Sequence, residues 1–307
     1  MKKIFIALAA LATIAACNKA EVIGTTQDNL IGFGSPFVDN ATKAIDPSYS
    51  GEIEFTSFNV WGTVNGGVGT VAIFAGDSVT GSVGENQEWT CATKQYWVNG
   101  AKYNFAALAN AGKVTLGTDM LPKTVEYNAA NKTDLVYAKS KEYTGKESGN
   151  ELVALTFNHL LSLVNFTVKN GSKDAKGYSF IVKDIKINGA TKGTYYIQAD
   201  GENAAGTWKS TESAGYTIGD ITVDNSIESA DCGTALLVIP GTVSVSFNVD
   251  ICCDSIKIGT KAYSKTNITL AAGNSYNFIV EPKVGEEIKF NVASDPTWTS
   301  NTDITIQ

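Results

Sequence analysis

The stretch VSVSFNVDI, residues 243–251, places an apolar residue at every second position. Its apolar members are Val243, Val245, Phe247, Val249 and Ile251, and every residue between them is polar. Successive side chains of a β-strand point to opposite faces, so this alternation predicts a strand with one face in a core and the other in water. Such a strand buries its apolar face against a second sheet, which favours a β-sandwich.

Further stretches with this period recur along the chain, with turn-forming residues between them. In the first half they cover residues 30–38, 51–64, 68–74, 88–98, 102–108, 124–127 and 135–139. In the second half they cover residues 178–187 (ending in the turn signal Asn188-Gly189), 193–198, 235–239, 242–251, 255–258, 267–270, 275–280 and 287–292. Short strands at such intervals are typical of a sandwich or barrel, so we predict an all-β fold.

The segment ELVALTFNHLLSLVNFTVKN, residues 151–170, is apolar on both faces near its middle. That pattern predicts one central buried strand, with a helix over its first half as the alternative. Asn170-Gly171 then forms a turn. Because the 307 residues exceed the usual domain size of about 100–200, we predict two domains, residues 30–170 and 171–307.

The amino-terminal residues read as a lipoprotein export signal. Two lysines precede a short apolar run, and Ile14-Ala15-Ala16-Cys17 resembles a lipobox. We expect residues 1–16 to be removed and Cys17 to carry the acyl chains of a membrane anchor. Residues 17–29 are then a flexible leader. A secretory signal with an incidental cysteine is the alternative. Asn18 leaves outer-membrane sorting open, so we expect a surface-exposed protein of the outer membrane.

The charge pattern argues against two classes of partner. The formal net charge is −7, and no basic cluster follows the signal, so nucleic acid is a poor partner. All 24 basic side chains are lysine. Because only arginine offers a planar bidentate fork, recognition of phosphate or carboxylate groups is not the expected task.

Nothing in the sequence predicts catalysis, a metal or a cofactor. His159 is the one histidine and lies between Phe157 and Leu161, so a hydrogen-bonded core histidine is expected. Nucleophile-elbow, zinc-protease, phosphate-loop and dinucleotide motifs are missing from the sequence. The remaining cysteines lack metal-ligand spacing, and both free thiols and disulfides stay open for them: Cys91, Cys232, Cys252 and Cys253.

Five tryptophans leave a second function open: Trp61, Trp89, Trp97, Trp208 and Trp298. We expect them to fill cores, as large aromatic side chains usually do. If they were exposed, they could stack on sugar rings. The alternative function is therefore a monomeric surface lipoprotein that binds glycans.

Several segments together resemble the fimbrillin family, the pilin and tip subunits of the surface fimbriae called type V pili. The segments that carry the resemblance are the lipobox at Cys17, residues 31–33 followed by Thr42-Lys43-Ala44, residues 97–100 with 103–108, residues 157–166, and the closing strands 236–240 and 270–278. The resemblance implies two tandem transthyretin-like Greek-key β-sandwich domains. It also implies a structural or adhesive subunit that polymerises with other fimbrial subunits, as a homo- or hetero-polymer.

In this family a trypsin-like protease cuts after a basic residue that follows the first strand, and a neighbouring subunit fills the groove left by that strand. By position, the cut here falls between Lys43 and Ala44. Arginine is the commoner residue at this place, so a lysine-tolerant protease is implied. The alternatives are a chain that stays uncut and an ordinary solvated lysine.

Residues 285–307 are the candidate source of the incoming strand. Its alternating apolar side chains would be either Ile288, Phe290 and Val292 or Ile304 and Ile306. A simple C-terminal edge strand is the alternative for this segment. A host or bacterial surface ligand is a further candidate partner.

Overall fold

The structure, a computed structural model, describes residues 29–34, 36–38, 56–67, 69–81, 89–197 and 206–295. The described part contains one short 3-10 helix, Ala129–Asn131, and twenty strands. The strands are β1 (Phe37–Val38), β2 (Ser57–Asn65), β3 (Thr70–Thr80), β4 (Thr90–Cys91), β5 (Lys102–Ala109), β6 (Val114–Leu116), β7 (Pro122–Asn128), β8 (Val136–Lys139), β9 (Tyr143–Thr144), β10 (Thr156–His159), β11 (Ser162–Lys169), β12 (Tyr178–Tyr196), β13 (Thr207–Ile218), β14 (Ile221–Val223), β15 (Ser229–Asp231), β16 (Leu236–Val238), β17 (Gly241–Cys253), β18 (Ile256–Leu270), β19 (Ser275–Glu281) and β20 (Lys289–Asp295). The predicted all-β class is confirmed.

The strands form three sheets. Sheet I has the order β1-β10-β8-β5-β2-β3-β4, with β9 beside β5. Sheet II has the order β15-β11-β19-β20, with β16 beside β11. Sheet III has the order β18-β17-β12-β7-β6, with β13 and β14 beside β12. The pairs are antiparallel except β1 with β10 and β11 with β19.

Three apolar cores hold these sheets together. The N-terminal core contains side chains of sheet I and of the segment before it, including Phe58, Phe105 and Phe157. The C-terminal core lies between sheets II and III, where Phe166 meets Phe247 edge to face at 5.7 Å between ring centroids. A third core, with Leu108, Leu161, Tyr195 and Leu237 among its members, joins strands from all three sheets.

Strand β17 bears out the alternation of residues 243–251. Val243, Val245, Phe247 and Val249 are buried in the C-terminal core, and Ile251 is half-buried against it. The polar residues between them lie on the opposite face of sheet III, because side chains alternate along a strand.

The segment 151–170 is not one strand, and the helix alternative is also wrong. It divides into β10 in sheet I and β11 in sheet II. Between them the Leu160 N–H donates to Leu135 O, and Leu161 O accepts from the Gly273 N–H. Both leucines are buried in the third core, so the apolar run continues through a change of sheet. The chain thus passes from the N-terminal to the C-terminal core between residues 159 and 164.

Asn188-Gly189 was expected to form a turn, but it lies inside β12. Asn188 pairs with Ser244 of β17 on one side and with Gly215 of β13 on the other. Two flanking partners therefore keep a turn-prone dipeptide extended. Strand β13, which the apolar pattern did not predict, is exposed along most of its length.

Strands β6 and β7 belong to sheet III, although both lie within the predicted N-terminal domain of residues 30–170. Strand β7 pairs with the end of β12, from Tyr127 opposite Gly193 to Thr124 opposite Tyr196. Sheet III is thus built from both predicted domains. The limits at residues 30, 170 and 307 and the Greek-key arrangement stay predictions.

Candidate functional site

Residues 29–34 lie between two neighbouring segments, and Leu30 and Phe33 form isolated β-bridges with them. On one side, the Ile31 N–H donates to Gln95 O at 2.8 Å, and the Trp97 N–H donates to Asn29 O at 2.8 Å. On the other side, the Gly34 N–H donates to Val153 O at 3.0 Å, and the Val153 N–H donates to Gly32 O at 2.9 Å. The segment thus satisfies backbone groups of both neighbours.

The inward side chains of this segment are part of the N-terminal core. Ile31 and Phe33 are each only 4% exposed. The Phe33 ring lies 6.0 Å from the Phe58 ring, 5.7 Å from Phe74 and 6.2 Å from Phe105, all edge to face. Edge-to-face contacts are favourable because they match the quadrupoles of aromatic rings. The Phe33 side chain therefore has one well-defined position among three other rings.

The outward face of the segment carries glycines. A Cβ atom placed on Gly32 would lie 2.7 Å from Cδ2 of Leu152. A Cβ atom on Gly34 would make only ordinary contacts, 3.7 Å to Val153 O and 3.9 Å to Leu152 Cβ. Leu152, itself 60% exposed, therefore approaches the backbone at Gly32 because no side chain stands there.

The first strand predicted from the sequence, residues 30–38, contains most of this segment and β1, which pairs with β10 in sheet I. We call the place that residues 29–34 occupy the first-strand groove. Its floor is formed by Phe58, Phe74 and Phe105, and its edges are residues 95–97 and 152–154. If the segment left, the three rings would face water and four backbone groups would lose their partners. An apolar trough with unpaired backbone at its edges favours the addition of another strand.

Part of the predicted site lies outside the described residues. This holds for Cys17, Lys43, Ala44, Ile304 and Ile306. The lipid anchor, the cleavage point and one set of donor side chains therefore stay predictions.

The other donor candidates lie in the C-terminal core. In β20, Phe290 pairs with Val280 and Val292 pairs with Phe278 of β19. Phe290 is 9% exposed, and its ring lies 5.7 Å from that of Phe278. Ile288 packs against the same core. This is the arrangement that the edge-strand alternative expects, and the donor role of the three side chains stays a prediction.

His159 is a hydrogen-bonded core histidine, as expected. Its Nδ1 lies 2.5 Å from Oδ2 of Asp134, and both residues are buried. The Asn110 side-chain amide donates to the backbone Asp134 O at 2.7 Å, which holds the segment before β8 to the end of β5. The pair joins β10 to the segment before β8, next to the point where the chain changes core. Among the described residues, no group of His, Cys, Asp and Glu could hold a metal ion.

Four of the five tryptophans are described: three are buried, and Trp208 is half-buried. Trp61, Trp89 and Trp97 are buried. Trp208 donates from Nε1 to Leu160 O at 2.8 Å, and its ring lies 5.3 Å from that of Tyr195. These four side chains fill cores, as predicted, whereas Trp298 lies outside the described residues. The glycan-binding alternative therefore loses most of its stacking surfaces.

The four described cysteines are free thiols: Cys91, Cys232, Cys252 and Cys253. Burial raises the pKa values of the Cys91 and Cys232 thiols. Burial thus disfavours the thiolate, the reactive form of cysteine.

A charged cluster crosses sheet III. The carboxylate of Asp250 in β17 lies 2.6 Å from Lys183 Nζ in β12 and 3.0 Å from Lys257 Nζ in β18. The Thr260 hydroxyl donates to the same carboxylate at 2.6 Å. The hydrogen bond from Lys183, followed by that from Thr260, holds the pKa of Asp250 well below its usual range. The cluster links three adjacent strands.

The side chains that the sequence did not predict are the floor of the first-strand groove and Leu152, which packs over Gly32. Phe58, Phe74, Phe105 and Leu152 come from distant strands and loops, so no local motif joins them to Ile31 and Phe33. The one local signal is the alternation of large residues with glycines in Ile31-Gly32-Phe33-Gly34.

In the part of the chain that the structure covers, no helix has the length and apolarity needed to cross a membrane.

Comparison with known proteins agrees with this architecture. A fimbrial protein from Bacteroides vulgatus ATCC 8482 superposes with a TM-score of 0.59 at 16% identity, over 87% of this chain and 99% of that chain. A candidate cell adhesion protein from Bacteroides uniformis ATCC 8492 gives a TM-score of 0.50 at 17% identity, over 90% of this chain and 100% of that chain. At these identities the likeness concerns the fold. No curated protein matches the chain.

A sequence model of fimbrillin-like proteins matches residues 48–298. The match extends from the walls of the first-strand groove through the C-terminal core. It confirms the family resemblance inferred from the sequence motifs. Because the match covers most of the polypeptide, the chain belongs to the fimbrillin-like family.

Proposed function

We propose that this protein is a structural or adhesive subunit of cell-surface fimbriae. In this proposal it is exported as a lipoprotein anchored through Cys17, cut after Lys43, and polymerised when a strand of another subunit replaces its first strand. The observation that carries the proposal is the seating of residues 29–34, which complete the N-terminal core and lie upstream of Lys43.

Cleavage after Lys43 would cut the covalent link between the first segment and the rest of the chain. The cut segment could then leave the groove without unfolding the rest of the N-terminal core. Its departure alone is unfavourable, because it exposes Phe58, Phe74 and Phe105 and unpairs backbone groups. An incoming strand covers the three rings again and pairs the backbone groups, so exchange of the segment is favoured over its loss without replacement.

The remaining partners follow from the same proposal. A lysine-tolerant trypsin-like protease performs the cut, and the acyl chains at Cys17 hold the precursor at the outer membrane before assembly. The assembled subunit is then part of a surface fimbrium. There it meets other subunits and a host or bacterial surface ligand.

The glycan-binding alternative has weaker support. Of the described tryptophans, Trp61, Trp89 and Trp97 are buried, and Trp208 packs on Tyr195. Stacking on a sugar needs an exposed aromatic face. Strand exchange, in contrast, uses an apolar seat and paired edges that the described residues supply.

The test is the amino terminus of the protein in native fibres. Sequencing of fibre-associated protein should find Ala44 as the first residue. Lys43→Gln should leave the precursor uncut and abolish fibres, whereas Lys113→Gln, at an exposed lysine away from the groove, should behave as the wild type. Fibres made of chains that retain Cys17, or normal fibre assembly by Lys43→Gln, would falsify the proposal.

A further inference from the structure

The first-strand groove makes different demands on the two faces of whatever strand fills it. Its inner face holds one aliphatic side chain, Ile31, and one aromatic side chain, Phe33. Its outer face at Gly32 is closed by Leu152. A replacement strand in the same register would have to satisfy all three positions at once.

The inner position of Phe33 is shaped for a ring. Phe58, Phe74 and Phe105 all present edge-to-face contacts to it at 5.7–6.2 Å between centroids. An aliphatic side chain at this place would leave part of the space among the three rings empty. Because a cavity in a core is costly and aromatic pairs add favourable contacts, an aromatic donor residue is favoured here.

The outer position of Gly32 excludes a bulky residue while Leu152 stays in place. A single Cβ there already comes within 2.7 Å of Leu152 Cδ2. A β-branched residue adds two more heavy atoms and is stiff at χ1, so it would force Leu152 outward. The position of Gly34 has no such restriction, because its nearest contacts are 3.7 Å or longer.

We infer that the groove selects a donor strand with an aliphatic, a small and an aromatic residue at three successive positions. The site formed by Phe58, Phe74 and Phe105 is the stronger determinant, and the exposed side chain of Leu152 is the weaker one. This inference rests on the proposed function, since it concerns which strand replaces residues 29–34. Selection works by steric exclusion on the outer face and by cavity filling on the inner face.

The two candidate donor segments of this chain lack the pattern. Residues 304–306 read Ile-Thr-Ile, with a β-branched residue in the small position and an aliphatic residue in the aromatic position. Residues 288–290 read Ile-Lys-Phe, and Phe290 already lies in the C-terminal core. The preferred donor is therefore a strand of a different subunit that carries the pattern, rather than either segment of a second copy.

Peptide binding to the full chain tests this selection. The host is the full folded chain with a specific protease site in place of Thr42-Lys43-Ala44, cut after folding so that its own segment can exchange with an added peptide. Labelled peptides are residues 29–38, the same peptide with Gly32→Val, the same peptide with Phe33→Ile, and residues 298–307. Fluorescence anisotropy should give a Kd about tenfold weaker for the Phe33→Ile peptide than for residues 29–38. The Gly32→Val peptide should be weakened less, because the exposed Leu152 side chain can be displaced. Residues 298–307 should also bind more weakly.

Leu152→Ala in the host should remove most of the penalty for Gly32→Val and leave the penalty for Phe33→Ile. Equal Kd values for all peptides, or tightest binding by residues 298–307, would overturn the selection and leave strand exchange intact. Binding of none of the peptides would overturn strand replacement itself, and the inference with it.

Hydrogen exchange in the uncut, otherwise wild-type chain gives a readout that needs neither protease nor polymer. Gly32→Val should speed exchange of the Val153 amide, which donates to Gly32 O, by a few-fold, because displacing the exposed Leu152 side chain costs little. Leu152→Ala should restore slow exchange. Gly34→Val is the matched control and should have the smaller effect. Equal effects at the two glycines would refute the role of Leu152.

Discussion

Phe33 meets Phe105 edge to face, with ring centroids 6.2 Å apart and ring planes at 86°. Phe105 lies in β5, between β8 and β2 in sheet I. The contact joins the first segment of the described chain to the middle of the N-terminal core. Residues 29–34 are therefore a structural part of this core.

Replacing this ring should destabilise the protein. Phe33→Ala removes a buried aromatic side chain, so we expect a loss of about 3–5 kcal/mol in the free energy of unfolding of the N-terminal core. Urea unfolding followed by tryptophan fluorescence would measure it, since Trp89 and Trp97 lie in the same core. Ile258→Ala, at an exposed position of β18, is the control. A loss below about 1 kcal/mol would contradict the observed seat.

Gly62 should be intolerant of a side chain. It lies in β2 between Phe74 and Phe105, and a Cβ there would come within 2.8 Å of a ring carbon of each. Gly62→Ala should therefore cost about 1–3 kcal/mol by overpacking and loosen the floor of the first-strand groove.

Thermal unfolding measures this effect. Gly259→Ala is the matched control, because Gly259 also lies in a strand but has open space around its Cβ position. Similar melting temperatures for the two variants would show that the rings can move aside at no cost.

The hydrogen bond between His159 and Asp134 should stabilise the junction between the cores. His159→Leu leaves a buried carboxylate without this partner, so we expect a loss of about 1–3 kcal/mol in the free energy of unfolding. A double-mutant cycle with Asp134→Ala separates the bond from the effect of changed packing. The double variant should lose less than the sum of the single variants. Strict additivity would indicate that the two side chains do not interact.

The Asp250 cluster should make sheet III sensitive to acid. Lys183 and Thr260 lower the pKa of Asp250 in the folded state. The ionised carboxylate therefore stabilises the fold at pH values above about 3.9, the pKa of an aspartate in an unfolded chain. This stability is lost as the pH falls from about 4 toward the lower, folded-state pKa.

Asp250→Asn should thus be less stable than the wild type at pH 7, and the difference should shrink at pH 3. Melting temperatures at the two pH values measure it, with Asp174→Asn, at an exposed position, as the control. A difference that is the same at both pH values would rule out the ion pairs as its cause.

The alternation of apolar and polar residues predicted the strands that have one buried face and one face toward solvent. Strand β17 has this environment, so its alternation appears directly in the sequence. The pattern failed at residues 160 and 161, because two adjacent buried leucines look the same within one strand and at a change of sheet. It also failed at Asn188-Gly189, where partners on both sides outweigh the turn propensity.

The candidate site was predicted in part. The motif of residues 31–33 predicted the first segment, which lies in the N-terminal core, whereas the processing site at Lys43 stays a prediction. The partners of that segment could not be predicted, since Phe58, Phe74, Phe105 and Leu152 reach it only through the pairing of distant segments. The spacing of Gly32 and Gly34 could not be interpreted from the sequence, because Leu152, which packs over Gly32, is distant in the chain.

The sequence by itself determined that this chain is all-β, that it belongs among fimbrillin-like proteins, and which side chains can face a core. These properties follow from alternation and local motifs, which are encoded within a few neighbouring residues. Only the tertiary structure decided which sheet each strand joins, where the chain changes core, and what surrounds residues 29–34. Those outcomes depend on contacts between residues far apart in the chain, where burial and backbone pairing override local propensity.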